Sequence, residues 1–256
     1  MKELLIKGWR PFVLLLFILI GWELAVTISD VPAWLLPSPS DIFQEGFADW
    51  EQFAPHLIST TKLSLLGLFI GAGIGFLSAV FLHLIPTLAS AFYPLIILSQ
   101  NVPIIVLAPL LIIWFGFGLL PKIIVITLVC FFPVTIAALD GFKQTAPELK
   151  SYMVMAGASH FQMFYMLELP HALPSIFSGL KISATYSVMG AVISEWLGAK
   201  QGIGVYMTLA SSSFQTTRVF VSIFTVMVLS LLFIAIIDLI ERKFIRWDLK
   251  GDERSK

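Results

Sequence analysis

The side chains of this sequence that could make or break bonds are few, and none is grouped for catalysis. Histidines stand at His56, His83, His160 and His171, too scattered for a metal cluster, and no H-E-x-x-H pair offers two ligands on one helix face. The single cysteine, Cys130, lies in the apolar run from Ile123 to Leu139; it excludes an intrachain disulfide or a cysteine-built metal site and reads as an inert packing residue. Ser211 to Ser213 carry no nucleophile motif and read as loop. Gly67, Gly71, Gly73 and Gly75 would suit a phosphate cradle only with a strand before them and Lys-Ser or Lys-Thr after them, and neither is present. The sequence therefore has no nucleotide site of the Walker type.

What remains is polarity inside apolar surroundings. Gln100 and Asn101 interrupt an apolar run together with Pro94, Pro103 and Pro109. A helix-interior proline frees a carbonyl one turn back, which in lipid must be satisfied by protein or by water in a cavity. The run reads as a short helix, a break near Asn101 to Pro103, and a second helix, forming either the wall of a polar pathway or a kink satisfied by a neighbour. Tyr186 and Ser187 supply the other polarity at depth, so the candidate pathway set is Gln100, Asn101, Pro103, Tyr186, Ser187 and Glu195. Glu195, beside Trp196, reads either as solvated at the interface or as part of a gate or docking contact. Glu23, Lys181 and Asp238 lie near span ends, where reaching to water is the default.

The elements that must position these residues follow from composition. Of 256 residues 58% are hydrophobic and 12% charged, with mean hydropathy +0.92. Soluble domains carry about 25% charged residues, so an ordinary soluble enzyme is excluded. Sixteen basic residues balance sixteen acidic ones, leaving no nucleic-acid footprint, and the partner surface implied is the lipid bilayer. Six runs have the length of about 17 to 25 residues that a membrane crossing needs: 11–28, 63–85, 92–115, 123–139, 172–193 and 219–240. The first follows Lys2, Lys7 and Arg10 like a signal peptide, but it lacks a small-residue cleavage site before Asp30 and reads as a retained helix.

Six spans put both termini on one side. Lys and Arg number three before the first span, two between Asp140 and His171 and six after Glu241, against four on the opposite side: Lys62, Lys122, Lys200 and Arg218. The positive-inside rule then makes both termini cytoplasmic. Segment 29–61 agrees, with five acidic residues, no Lys or Arg, and Trp34 and Trp50 suited to interfacial anchoring. The glycines of the second run predict close approach of another helix.

The cytoplasmic stretch 145–170 is the most informative. Thr145 with Glu148 and Ser159 with Gln162 each fit a capping box, Gly157 permits a sharp turn between two short helices, and Pro170 with Pro174 ends the element and opens the fifth span. Met153, Met155, Phe161, Met163, Phe164, Tyr165 and Met166 give it a soft apolar surface suited to docking or to lying on lipid.

Gly157, nine residues, then Leu167-x-Leu169-Pro170 resembles the cytoplasmic loop signature of the permease subunits of ATP-binding-cassette (ABC) importers, E-A-A, three residues, G, nine residues, I-x-L-P. The resemblance extends through Leu36 to Phe43, Pro109 to Gly116, Glu195 to Gly198 and Gly202 to Gly204. It is similar to the branch serving nitrate, sulfonates, taurine and pyrimidine precursors of thiamine. The departure is Ser151-Tyr152-Met153 in place of E-A-A, with Glu148 one turn earlier as a substitute for the missing glutamate.

The resemblance implies a single all-α permease domain of the type I ABC importer (MetI-like) fold, in a bacterial cell membrane and not itself an enzyme. It implies a homodimer, two ATPase subunits that hold ATP and magnesium while this chain holds no cofactor or metal, and an extracytoplasmic solute-binding protein. It makes Ser151, Met155, Ala156, Gly157, Ala158, Ser159, Phe161, Phe164, Leu169 and Pro170 the ATPase-coupling set. Residues 184–198 look closest to permeases for thiamine-related pyrimidines, with sulfonate, taurine or nitrate as the alternative. An ion-coupled secondary transporter is the rival class; it would show paired broken helices and mid-membrane carboxylates, and only the third run is clearly broken.

Overall fold

The computed structural model describes residues 2–245, with side chains from Trp9 onward. The described residues form helices and connecting turns, with no strand among them. Four of the six C-terminal cations counted above (Arg246, Lys250, Arg254 and Lys256) lie outside them. In chain order the helices are α1 (Lys2–Ile28), α2 (Pro39–Ala48), α3 (Trp50–Leu84), α4 (Pro86–Ser99), α5 (Ile104–Phe115) and α6 (Leu119–Lys143). Then follow α7 (Pro147–Met155), α8 (His160–Met163), a π turn over Phe164–Glu168, α9 (Leu169–Glu195), α10 (Ile203–Ser212) and α11 (Thr216–Phe244). Five helical stretches are long and apolar enough to cross a membrane, and α4 with α5, bent by 98°, makes the sixth as a broken span.

The centre of the molecule is α3, α6 and α9, and small residues decide how closely they pack. Gly67, Gly71 and Gly75 share one face of α3 and pack on α6, Gly67 on the Ile126 side chain and the other two on backbone: a Cβ at Gly71 would sit 2.8 Å from the Thr127 carbonyl oxygen, and one at Gly75 2.8 Å from that of Phe131. Gly73, on the other face, has open space around it. Across the second seam Cys130 and Ser183 exchange hydrogen bonds, Ser183 Oγ donating to the Cys130 carbonyl at 2.8 Å and Cys130 Sγ to the Ser183 carbonyl at 3.4 Å. Such contact suits association in lipid, where van der Waals packing replaces the hydrophobic drive. By contrast α1 lies at the periphery, attached by Trp22 stacking on Phe220 and Phe224 and by Glu23 accepting from Ser40 N and Oγ at 3.0 and 2.7 Å.

Several expectations are corrected. The second span starts at Trp50, not Leu63, so α3 reaches well beyond the hydrocarbon core, about 52 Å at 1.5 Å per residue. Thr145 does not cap α7; Pro147 restricts the residue before it to extended backbone, so Ala146 (φ −55°, ψ 129°) becomes the N-cap and the Thr145 hydroxyl is buried without a partner. Pro170 and Pro174 end nothing, because helix runs continuously from His160 through the π turn into α9. Pro170 falls in the first turn after the π turn, where its missing N–H costs least. Ser211 and Ser212 belong to α10 rather than to a loop. Lys181 and Asp238 do not reach separately to water: the Lys181 ammonium pairs with Asp238 at 2.9 Å and with Glu241 at 2.5 Å.

Candidate coupling segment and translocation pathway

The segment between α6 and α9 is built by local rules. Helix α7 ends in a Schellman arrangement in which Ala158 N donates to the Met153 carbonyl and Gly157 N to that of Val154, both at 3.0 Å. Gly157 has φ +79°, the left-handed region, and open space where a Cβ would project. Ser159 then caps α8 reciprocally, its N donating to Gln162 Oε1 at 2.8 Å and its Oγ accepting from Gln162 N at 3.3 Å. The turn glycine and this second capping box thus stand where the sequence puts them.

The segment has two faces. Met155 is 79% exposed and Phe161 70% exposed, with Tyr152, Tyr165 and Met166 beside them; Phe161 and Tyr165 stack with centroids 6.4 Å apart. Ser151, Ala156 and Ser159 are exposed as well, and Ala158 is half-buried. Phe164 belongs to the other face, which corrects its reading as a docking anchor: it is 6% exposed and packs edge-on against Phe142, with His83 alongside. Phe161 and Tyr165, four residues apart, share the outer side, while Phe164, about 100° around the helix from Tyr165, faces in. Leu169 packs on the same inner cluster, and Pro170 is partly covered.

Sequence reasoning missed Glu168 altogether. Its carboxylate, 5% exposed, contacts His83 Nε2 at 2.7 Å and Lys150 Nζ at 2.6 Å. A lone acidic residue in the apolar run 161–170 was the available signal, since such a group is buried only with partners. Glu148, proposed as the substitute for the missing motif glutamate, stands exposed at the start of α7.

Gln100, Asn101 and Tyr186 line one cavity of about 430 Å³ together with Val102, Leu128 and Phe132. The break that opens it is satisfied locally: Asn101 Nδ2 donates to the Ile97 carbonyl at 2.8 Å, and Pro103 takes the N-cap of α5 in extended conformation. Ser187 is not part of this wall; it is buried on the far side of α9 and donates to the Ala184 carbonyl at 2.8 Å.

Glu195 is not in the cavity either, and it is not solvated. It is 1% exposed at the far end of α9, accepting from Thr60 Oγ1 at 2.7 Å and from Gly204 N at 2.8 Å. Thr60 Oγ1 also accepts from Ile203 N at 2.8 Å, and His56 Nδ1 lies 2.9 Å from the Gly202 carbonyl oxygen. Side chains of α3 and α9 thus cap the N-terminus of α10, supplying the acceptors that helix starts lack. Gly202 has φ +137°, and a Cβ there would run into the Glu195 carboxylate. Next to this cluster Tyr206 donates to Asp49 at 2.5 Å, and Arg218 bridges Asp49 and Glu45 at 3.2 and 2.8 Å. Burial, reinforced by the Asp49 carboxylate, pushes the Tyr206 phenol above its ordinary range.

A bundle of candidate spans with one broken helix, a polar-lined cavity beside the break and a helix–turn–helix between two spans has the shape of a membrane permease. Residues 71–246 match the family described as binding-protein-dependent transport system inner membrane component, and the chain belongs to that family. It is 33% identical to the formylaminopyrimidine transport permease protein ThiX of Halalkalibacterium halodurans, over 95% of this chain and 98% of that protein. It is 31% identical to the putative aliphatic sulfonates transport permease protein SsuC of Bacillus subtilis, over 94% and 88% respectively. Among solved structures, a chain in the crystal structure of an amino acid ABC transporter with histidines superposes with TM-score 0.62, at 18% identity, over 77% of this chain and 98% of that one, and so shares the fold. The chain is an ABC importer permease, a helical inner-membrane subunit that is not itself an enzyme.

Proposed function

We propose that two copies of this chain form the translocation pathway of an ATP-driven importer, that separate ATPase subunits bind the exposed face of segment 145–170, and that an extracytoplasmic binding protein delivers the solute. The observation that carries this reading is the two-faced segment itself. Its outer face is apolar and free at Met155, Phe161 and Tyr165, while Phe164 fixes its inner face to the ends of the spans. A separate ATPase is required because this sequence has no nucleotide site of its own. Exposed Ile113, Trp114 and Phe117 at the end of α5 support pairing with a second copy. ATP supplies the bias by binding more tightly to one arrangement of the ATPase pair, as any population shift requires.

For the solute, the cavity lining supports a neutral polar heterocycle of the thiamine-pyrimidine kind. Gln100, Asn101 and Tyr186 offer neutral donors and acceptors, and the lining includes no charged side chain to hold a sulfonate, taurine or nitrate, which is the alternative. Both termini are cytoplasmic on the charge distribution.

The test of coupling is separation of effects. In Gly157→Val the valine carries the steric cost of left-handed backbone, about 1–2 kcal/mol, and misdirects α8. Phe161→Ala removes an anchor of about 2 kcal/mol, roughly a 30-fold loss of ATPase affinity. Both variants should insert and dimerise normally yet lose copurifying ATPase and vesicle uptake; full retention of both properties defeats the reading. For orientation, an impermeant thiol reagent on intact cells should label a cysteine replacing Lys200 and spare one replacing Gln144, and labelling at the latter position reverses the topology.

A further inference from the structure

The Glu168 carboxylate joins three elements at the cytoplasmic end of the bundle. Its Oε2 meets His83 in the last turn of α3, its Oε1 meets Lys150 on α7, and its own backbone closes the π turn that leads into α9. Helix α7 carries much of the exposed docking surface but buries no residue of its own. Its chain connections are the short link after α6 and the glycine turn at Gly157, whose left-handed backbone leaves α7 and α8 joined without packing. Among the described residues, the Lys150–Glu168 pair is the only side-chain hydrogen bond or ion pair from α7 to another element. A force applied to α7 therefore has one stiff side-chain route into the spans, and that route divides at Glu168 between α3 and α9.

We propose that Glu168 is a positioning residue for energy coupling, transmitting displacement of α7 through the Lys150 pair to α9 and through His83 to α3. This rests on the reading that an ATPase docks on α7 and α8. The link suits the task because a carboxylate with little water around it holds two partners in fixed geometry, whereas an exposed pair would be loosened by solvent. The π turn adjoining it carries one residue in excess of α-helical register, so α8 and α9 are not locked as a single rod at that point.

The test uses the assembled importer in lipid, with a spin label on a cysteine replacing exposed Ser213 in each copy, and magnesium ATP with vanadate as the probe. With Lys150 and Glu168 in place, nucleotide should shift the distance between the two labels. Lys150→Met, which alters no buried side chain, and Glu168→Gln should keep the ATPase bound and hydrolysing while the shifted population falls about tenfold, within the usual range of coupling factors. The double exchange Lys150→Glu with Glu168→Lys should restore it.

An unchanged shift in both single variants, loss of the ATPase from Lys150→Met, or failure of the double exchange to restore the shift would each overturn the proposal. The coupling reading fails separately, through absence of any shift without these substitutions or through full ATPase retention and uptake in Phe161→Ala.

Discussion

The two ends of α3 each hold a buried carboxylate from the helix region of α9, yet the surroundings differ. At the end of α3 that the proposed orientation places outside, Glu195 accepts from a hydroxyl and a backbone amide, Thr60 and His56 take up neighbouring polar groups, and Gly202 lets the backbone close over the carboxylate. At the end that the same orientation places in the cytoplasm, Glu168 meets a lysine and a histidine, beside a π turn and an open glycine turn. One cluster fixes a short helix through its backbone; the other holds one through a pair of charged side chains. The contrast teaches that helix α10 is fixed into the wall of the bundle through its backbone, whereas α7 is held to the spans by a side-chain pair alone.

The sharpest way to break this comparison is at the outer cluster. Glu195→Ala leaves the Thr60 hydroxyl and the Gly204 amide buried without their acceptor, at about 1–3 kcal/mol each. We expect a marked fall in thermal unfolding temperature of the dispersed protein with ATPase binding unaffected; an unchanged midpoint removes the claim of a fixed outer helix. Phe164→Ala opens a cavity between the segment and Phe142 and should cost about 3 kcal/mol of stability. It is the counterpart of Phe161→Ala, two positions on one segment with opposite readouts, and equal effects on stability from both would erase the two-faced description.

Ser159→Ala should act least, removing a cap worth about 1 kcal/mol. Hydrogen exchange should accelerate at residues 160–163 and leave α10 untouched; acceleration at both ends together would make the two clusters one cooperative unit.

The spans were legible because twenty apolar residues between charges have few alternatives in water or lipid, and the break at Asn101–Pro103 was legible because proline removes a donor wherever it stands. The glycine seam announced itself by its four-residue spacing. The residues that misled are those whose surroundings come from distant parts of the chain. Phe164 sits among aromatic neighbours that read as one docking surface, and only its contacts with Phe142 on α6 and His83 on α3, distant in sequence, show that it faces inward. Glu195 reads as interfacial beside Trp196 until Thr60, far away in sequence, is brought against it by α3. Glu168 went unnoticed for the same reason, since His83 and Lys150 reach it from two other helices.

Helix α3 spans both clusters without interruption, His56 and Thr60 at one end and His83 at the other, about 40 Å apart at 1.5 Å per residue. Four glycines in its middle would make an isolated helix compliant there, but Gly71 and Gly75 are pressed against the α6 backbone and Gly67 against the Ile126 side chain, with no room to bend toward α6. The helix therefore behaves as a push rod running in a guide. On the coupling proposed above, a stroke delivered at the cytoplasmic face would arrive at the outer face with its amplitude kept, and the two mouths of the pathway would share one clock.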